Sequence, residues 1–459
     1  VNAHTPEPEQ ADGLTRSIAK MRAAGADQVA IDVFSHYYEL AKQGATGLIS
    51  EDSIQPLTDP PKLDDVSVPD DAASEALGRT VIIKLNGGLG TSMGLEAAKT
   101  LLPVRDGKNF LDIIVEQVRH ARRAHGARLP LLFMDSFRTR DDTLAYLERY
   151  TDLAVEGLPL DFLQNREPKL LAADLTPASW PADPDLEWCP PGHGDIYTAL
   201  LGSGILDELL AKGFRYASVA NGDNLGAAPN ARLAGWFAST GAPYAAEVCT
   251  RTPNDRKGGH LAVRRSDGRL ILRDSAQTSD EDQKYFQDET VHPYFHTNNL
   301  WFDLQQVRDA MVERKGVLGL PLIRNVKTVD PTDFSSPKVV QLETAMGAAI
   351  EAFDGARAIA VGRDRFLPVK TTNELMLLRS DVFALADDGR LLTTSAIPLI
   401  DLTSAYYKLV SDFDERVRVV PSLRQATSLV VKGDWVFDEP AQVVGDVLLP
   451  DEGETRHYR

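Results

Sequence analysis

The stretch Val81-Ile82-Ile83-Lys84-Leu85-Asn86-Gly87-Gly88-Leu89-Gly90-Thr91-Ser92-Met93-Gly94 constrains this chain more than any other. Val81 to Ile83 has the apolar, β-branched character of a strand, and it feeds a glycine-rich turn that opens what reads as a helix. Glycines leave backbone N–H groups free to converge, and a following helix N-terminus adds positive potential. That geometry holds phosphates. The spacing fits neither common template. A P-loop needs Gly-x4-Gly-Lys-Ser/Thr, and here no lysine follows the last glycine. A dinucleotide fingerprint needs Gly-x-Gly-x2-Gly, whereas Gly88, Gly90 and Gly94 space as Gly-x-Gly-x3-Gly. The loop points to a nucleotide handled by neither P-loop nor hydride-transfer chemistry. On the glycines alone, a ligand-free strand-to-helix turn is an equal reading. Lys99 lies just past the first turn of the expected helix.

Around this loop, apolar strand-like runs at 81–85, 130–134 and 216–220 alternate with helical patterns at 110–125, 141–150 and 204–210. Such alternation predicts a parallel-rich α/β sheet with helices on both faces, and ligands in such sheets sit beyond the C-terminal ends of strands. The glycine loop and Asp223 both fall at such ends. Residues 13–48 read as helices, with Met21, Val29, Ile31, Phe34, Tyr38 and Leu40 at helical spacing. Residues 56–76, rich in Pro and Asp, read as a linker. In the tail, Gly433-Asp434 is echoed by Gly445-Asp446 at a multiple of the hexapeptide period of β-helices; a plain hairpin is an equal reading. These features divide the chain into a helical segment and linker at 1–76, an α/β stretch at 77–383 and a tail domain at 384–459.

The 459 residues, 43% hydrophobic and 25% charged, suit a globular protein with a substantial core. No apolar run approaches the ~20 residues that span a bilayer. The polar, acidic start, Val1 to Glu9, lacks the basic and apolar regions of a signal peptide. Two cysteines, Cys189 and Cys249, make no disulfide framework and suit a reducing cytoplasm; Cys189 reads as a packing residue. The net charge of −18 argues against nucleic acid and anionic membranes as partners.

The loop matches Leu-x2-Gly-x-Gly-Thr-x-Met-Gly-x4-Lys, ending on Lys99. Further blocks follow in order: Trp188-Cys189-Pro190-Pro191-Gly192-His193-Gly194-Asp195, Ala220-Asn221-Gly222-Asp223-Asn224-Leu225-Gly226 and Lys257-Gly258-Gly259. Then come His296-Thr297-Asn298-Asn299-Leu300-Trp301, Gln341-Leu342-Glu343-Thr344-Ala345 and Arg365-Phe366-Leu367-Pro368-Val369-Lys370. In these blocks, from roughly residue 78 to 450, the chain resembles the eukaryotic-type UTP–glucose-1-phosphate uridylyltransferases, also called UDP-glucose pyrophosphorylases. The resemblance implies a GT-A-like nucleotidyltransferase fold, mixed and parallel-rich, with a short C-terminal left-handed β-helix. It implies UTP and glucose 1-phosphate as substrates, Mg²⁺ carried in on the nucleotide, and homo-oligomer contacts through the tail.

Residue roles follow from the same resemblance. Lys99 reaches the triphosphate over the loop, and Lys370 reaches the α-phosphate and the sugar phosphate. The backbone of Leu85, Gly87 and Gly88 contacts the uracil, Met134 lies against it, Gln164 reads its polar edge and Gly192 approaches closely. Asn221, Gly258, Gly259, Asn298 and Asn299 face the sugar, His193 holds a phosphate oxygen and Asp223 bridges to metal. Asparagines suit hydroxyls because each amide both donates and accepts. Solvated lysines at 99 and 370 and an Asx-turn cap at 223 are the competing readings. The acidic chain must gather local positive charge for phosphates, and Lys99, Lys257, Arg363, Arg365 and Lys370 are the candidates. Two departures stand out. Leu95-Glu96-Ala97-Ala98-Lys99 replaces the family's Cys-Lys-Gly-Pro-Lys, and Asp274 stands near where the family carries a glutamate. A broader UDP-sugar or UDP-N-acetylhexosamine pyrophosphorylase is the nearest rival. A glycosyltransferase would show Asp-x-Asp where Asp223-Asn224-Leu225 stands. A sugar-nucleotide-sensing subunit would be expected to lose Lys99 or Lys370, and both are present.

Overall fold

A computed structural model describes residues 12–252, 255 and 258–459. The polar start at Val1 to Glu9 and the candidate cation Lys257 lie outside the described residues. The chain forms two interleaved compact units. One comprises Val1–Ser67, Phe162–Ser218 and Trp236–Val361; the other comprises Val68–Asp161, Val219–Gly235 and Gly362–Arg459. The sequence-drawn stretch 77–383 contributes to both.

In the second unit the strand β1, Thr80–Asn86, is buried along nearly its whole length, as a strand covered on both faces must be. The helix α1, Phe110–His125, follows, opened by a reciprocal capping box between Asn109 and Asp112 and closed by Gly126 in the left-handed region. It buries Ile113, Ile114 and Val118 and leads into β2, Leu131–Asp135, which pairs parallel with β1 from Ile82↔Leu131 to Asn86↔Asp135. The three elements form a βαβ unit, and full burial of each aliphatic side chain on α1 is worth about 1.5–3 kcal/mol. A lysine in the middle of β1 breaks the apolar run: Lys84 is fully buried and donates to Ala227 O at 2.7 Å. The strand β3, Tyr216–Asn221, ends in this unit, where Gly222 N–H donates to Leu85 O at 2.8 Å. A Cβ on Gly222 would lie 2.8 Å from that same oxygen, so only glycine allows the approach.

Three expectations are corrected here. No α-helix follows the glycine loop; it gives way to single 3₁₀ turns at Thr91–Met93 and Lys99–Leu101. Gly90 and Gly94, both left-handed, turn the chain aside before a helix can propagate. Lys99 therefore stands on a short turn, not past the first turn of a helix. The stretch read as a linker contains a helix, Asp70–Gly78, which buries Ala73, Ala76 and Leu77.

In the first unit the two N-terminal helices are present, Gly13–Ala23 and Gln28–Lys42, each capped by an aspartate, Asp12 and Asp27. They bury Met21, Ile31, Phe34 and Tyr38 as the periodicity predicts. The strand β4, Tyr244–Thr250, pairs antiparallel with β5, Tyr294–Asp303, and parallel with Arg357–Ala360. The strand His260–Arg264 pairs antiparallel with Leu270–Arg273 and with Ile54–Pro56. The architecture is mixed α/β, with parallel pairs at β1–β2 and at β4–Arg357–Ala360, and with helices packed alongside.

The tail strands Leu399–Leu402, Ser422–Val431 and Gln442–Leu449 stack in parallel. Parallel pairing excludes the plain hairpin. Gly445 opposes Ala426, not Gly433, so the Gly-Asp echo is not the stacking repeat. Val431 opposes Leu449 and Ser428 opposes Asp446.

Candidate active site

The second unit holds the candidates Lys99, Asp223 and Lys370, together with the candidate base contacts Leu85, Gly87, Gly88 and Met134 and the candidate sugar contact Asn221. Beyond β1 the glycine loop is held by Lys99 N–H, which donates to Gly88 O at 3.1 Å, and by Leu95 N–H, which donates to Gly90 O at 3.3 Å. The Lys99 ammonium donates to Asp223 Oδ2 at 2.6 Å and to Val369 O. Val369 immediately precedes Lys370, so the Lys99–Asp223 pair lies beside the backbone of Lys370. Lys370 is exposed, and its Nζ has no partner among the described residues. Asn221 is half-buried at the end of β3, also without a side-chain partner among the described residues. Leu85 spends its carbonyl on Gly222. Met134, 2% exposed, is the penultimate residue of β2. Arg365, a candidate cation, is buried instead, with Nη1 donating to Ala228 O at 2.6 Å. Its charge serves a carbonyl.

Sequence reasoning missed the cluster under this loop. Asn86 Nδ2 donates to Asp135 Oδ1 at 2.6 Å and to Thr143 Oγ1 at 2.9 Å, while Thr100 Oγ1 donates to Asn86 Oδ1 at 2.6 Å. Asp135 is fully buried, its Oδ2 has no partner among the described residues, and burial pushes its carboxyl up to about 7. The only sequence signal was an acid ending an apolar strand run.

The first unit holds the candidates Gln164, Gly192, His193, Gly258, Gly259, Asn298 and Asn299. The Pro191–Gly194 turn is laced to Thr344, as Thr344 N–H donates to Pro191 O and Gly194 N–H donates to Thr344 O, each at 2.9 Å. Gly192 has φ +80°, and a Cβ there would lie 2.5 Å from Thr344 O. Gln164 Nε2 donates to Gly192 O at 3.1 Å, which joins two predicted uracil contacts. Met346 N–H donates to His193 Nδ1 at 2.9 Å, so the ring proton belongs on Nε2. Burial lowers the His193 pKa, and neutral His193 can still donate from Nε2. Below the turn, Asp195 is buried, accepts from Asn165 N at 2.6 Å and Nδ2 at 2.9 Å, and is pushed by burial up to about 7. Cys189 is buried with its thiol pushed up by burial, a packing residue as read.

Gly259 O accepts from His296 N–H at 2.8 Å, and a Cβ on Gly259 would lie 3.3 Å from Asp274 Oδ2. Asp274 caps the Ser275–Gln277 turn, accepting from Ser275 N–H at 2.7 Å. Gly258 O accepts from Arg251 Nη2 at 2.5 Å. Asn298 stands in β5 at φ +60°, its N–H donating to His296 Nδ1 at 3.1 Å. Burial lowers His296 to about 4, so the ring is neutral at pH 7. Asn299 is buried, with Nδ2 donating to Glu247 Oε2 at 3.1 Å.

For metal, the described residues contain no cluster of three or more His, Cys, Asp or Glu side chains. One carboxylate, Asp223, stands near the glycine loop through Lys99, and Mg²⁺ commonly keeps several waters and takes one or two carboxylates together with substrate phosphates. No helix of the described residues is long and apolar enough to cross a membrane.

The sequence profile of a family described as UTP–glucose-1-phosphate uridylyltransferase matches residues 31–443. The UTP–glucose-1-phosphate uridylyltransferase of Solanum tuberosum is 36% identical over 461 residues, covering 97% of this chain and 94% of that protein. The enzyme of the same name from Saccharomyces cerevisiae is 38% identical over 377 residues, covering 81% and 74%. Among solved structures, a mutant UDP-glucose pyrophosphorylase from Leishmania major in complex with UDP-glucose superposes with a TM-score of 0.90 at 41% identity, covering 98% of this chain and 97% of that one.

Proposed function

We propose a mechanism from one premise: this chain belongs to the UTP–glucose-1-phosphate uridylyltransferase family. It is an enzyme that transfers uridylyl from UTP to glucose 1-phosphate, giving UDP-glucose and pyrophosphate. The transfer runs by direct in-line attack of a sugar-phosphate oxygen on the α-phosphorus. No covalent protein intermediate is needed, so the residues must bring polyanions together and stabilise charge as it develops. The Lys99–Asp223 pair, tied to the glycine loop through Lys99 N–H and to the carbonyl that precedes Lys370, carries this reading.

Lys370, unpaired among the described residues, supplies charge where the α-phosphorus is attacked. Lys99, held by Asp223 and Val369 O, supplies charge to the triphosphate over the backbone amides of Gly87 and Gly88. Mg²⁺, when bound, neutralises phosphate charge, and Asp223 is the residue that would hold it. Leu85, Met134, Gln164 and Gly192 recognise uracil. His193 donates from Nε2 to a phosphate oxygen, while Asn221, Gly258, Gly259, Asn298 and Asn299 take the sugar.

The fold reads more finely as a GT-A-like nucleotidyltransferase over 77–383, preceded by the helical segment 1–76 and followed by a left-handed β-helix within 384–459. Two buried free cysteines favour a cytoplasmic setting, and the acidic surface disfavours nucleic acid and anionic membranes. Apolar residues exposed on the outer face of the tail, Leu399 at 49%, Val444 at 58% and Leu448 at 64%, favour a homo-oligomer through the tail.

Transfer from UTP made chiral at the α-phosphorus by sulfur substitution tests the in-line step. A single displacement inverts the configuration in the UDP-glucose analogue. Net retention would mean two displacements and a covalent enzyme intermediate.

A further inference from the structure

Asn86 ends β1 at the neck of the glycine loop, and its buried side chain has both amide hydrogens and the carbonyl engaged. Nδ2 donates to Asp135 Oδ1 at 2.6 Å and to Thr143 Oγ1 at 2.9 Å, and Oδ1 accepts from Thr100 Oγ1 at 2.6 Å. The Thr143 hydroxyl gives its own proton to Thr139 O at 2.7 Å. Toward Asn86 it can therefore only accept. That alone fixes the amide, with nitrogen toward Thr143 and oxygen toward Thr100, whichever protonation state Asp135 holds.

Thr100 is buried at the centre of the Lys99–Leu101 turn, and its hydroxyl makes this one hydrogen bond among the described residues. Lys99 N–H donates to Gly88 O at 3.1 Å, so residues 99 and 100 are tied back to residues 88 and 86. Two struts close the glycine loop at its neck. The Thr100 methyl packs on Gly222, where a Cβ would lie 3.0 Å from Thr100 Cγ2. Thr100 thus stands between Asn86, from which the loop departs, and the glycine that precedes Asp223. Its neighbour Lys99 donates to Asp223 Oδ2 at 2.6 Å.

We propose that Thr100 is a positioning residue for the Lys99–Asp223 pair: its hydroxyl, donated to Asn86, fastens the Lys99–Leu101 turn to the end of β1 and so sets where the Lys99 ammonium stands relative to the glycine loop. This rests on the reading of Lys99 as a phosphate contact. Thr100→Val keeps the shape of the side chain and the methyl against Gly222 but has no proton to give. Asn86 Oδ1 is then left buried and unpaired, and the turn loses its strut. Thr100→Ser keeps the proton and loses only the methyl.

The test measures kcat/KM for UTP, at saturating glucose 1-phosphate, in wild type, Thr100→Val, Thr100→Ser, Lys99→Ala and the double variant Lys99→Ala with Thr100→Val. Thr100→Val is expected to lose about tenfold, the scale of one directed hydrogen bond and inside the roughly 10²-fold that a 1 Å misplacement can cost. Thr100→Ser should stay within about threefold of wild type, because the bond to Asn86 survives. In the Lys99→Ala background Thr100→Val should add less than about twofold, since it acts through an ammonium no longer there. The proposal is overturned if Thr100→Val keeps wild-type kcat/KM, if Thr100→Ser falls as far as Thr100→Val, or if Thr100→Val has the same effect in both backgrounds. Near-normal kcat/KM in Lys99→Ala would remove the phosphate role of Lys99, and the proposal with it. An impaired Lys99→Ala beside a normal Thr100→Val removes the proposal alone. If Thr100→Val does not fold, Thr100→Ala set against Thr100→Ser reads the same strut, and equal kcat/KM in those two overturns the proposal.

Discussion

Lys99 is held by a carboxylate and a carbonyl, whereas Lys370 stands exposed and unpaired among the described residues, so the two lysines should fail differently when removed. A charged donor acting in the transition state is worth on the order of 10²–10³ in kcat. Lys370→Ala is expected to lose that much kcat with a smaller change in KM. Lys99→Ala should also weaken UTP binding, and it leaves Asp223 without its counterion. Steady-state kinetics on folded variants check both, and near-normal turnover in Lys370→Ala would exclude its catalytic role. Asp135 gives a pH prediction. Its folded carboxyl is raised to about 7 from an ordinary 3.8, so between those values the folded protein binds the extra proton. Stability from this group is complete below about pH 4 and falls as pH rises to about 7, by about 1.4 kcal/mol per pKa unit. Asp135→Asn cannot ionise, so its melting temperature should improve relative to wild type between pH 5 and pH 8. A gap that does not move over that range would show that Asp135 is not titrating there.

At the scale of the element, the turn Pro191–Gly194 is the most exacting piece of backbone. Gly192→Ala places a Cβ against Thr344 O at a left-handed φ, which costs about 1–3 kcal/mol of strain. Thermal melting should show that loss, and KM for UTP should rise, since Gln164 is bonded to the displaced carbonyl. Unchanged melting would mean the turn relaxes freely. The βαβ unit could be read from sequence because its signals are local: an apolar run buried on both faces, a capping box and a C-terminal glycine. The helix expected after the glycine loop could not be excluded, because left-handed φ at Gly90 and Gly94 is a conformation that glycine permits and does not announce. The helix Asp70–Gly78 was hidden by the density of Pro and Asp around its Ala and Leu stripe. At the site, the motifs name glycines and asparagines as candidates. Their supports could not be read, since Thr344, Asp135 and Glu247 act across strands far apart in sequence.

At the scale of the whole molecule, the tail is fastened by polar links to the segment just after Lys370. Leu402 N–H donates to Asn373 Oδ1 at 3.0 Å, Thr372 Oγ1 donates to Tyr407 O at 2.6 Å, and Ser422 Oγ donates to Asp381 Oδ2 at 2.6 Å. Truncation after Asp412 removes fully buried Phe413, Leu423, Leu429 and Val431 and uncovers their partners. The truncated protein should melt lower or aggregate. A well-folded, inactive truncation with unchanged size and melting would show that the tail contributes to the reaction instead. Leu448→Lys should lower the sedimentation coefficient if the exposed tail face joins copies, and an unchanged coefficient would remove that assembly.

The proposed uridylyl transfer depends on a glycine loop beside which an acidic chain places lysines. Pyrophosphate release from glucose 1-phosphate with UTP or ATP, each with Mg²⁺, tests that claim most directly. A site that pairs uracil through Gln164 and backbone groups leaves them unpaired against adenine, which in favourable cases costs ~10⁴ or more in kcat/KM. Strong release with UTP, little with ATP and none without glucose 1-phosphate is the predicted result; equal rates with the two nucleotides would contradict it.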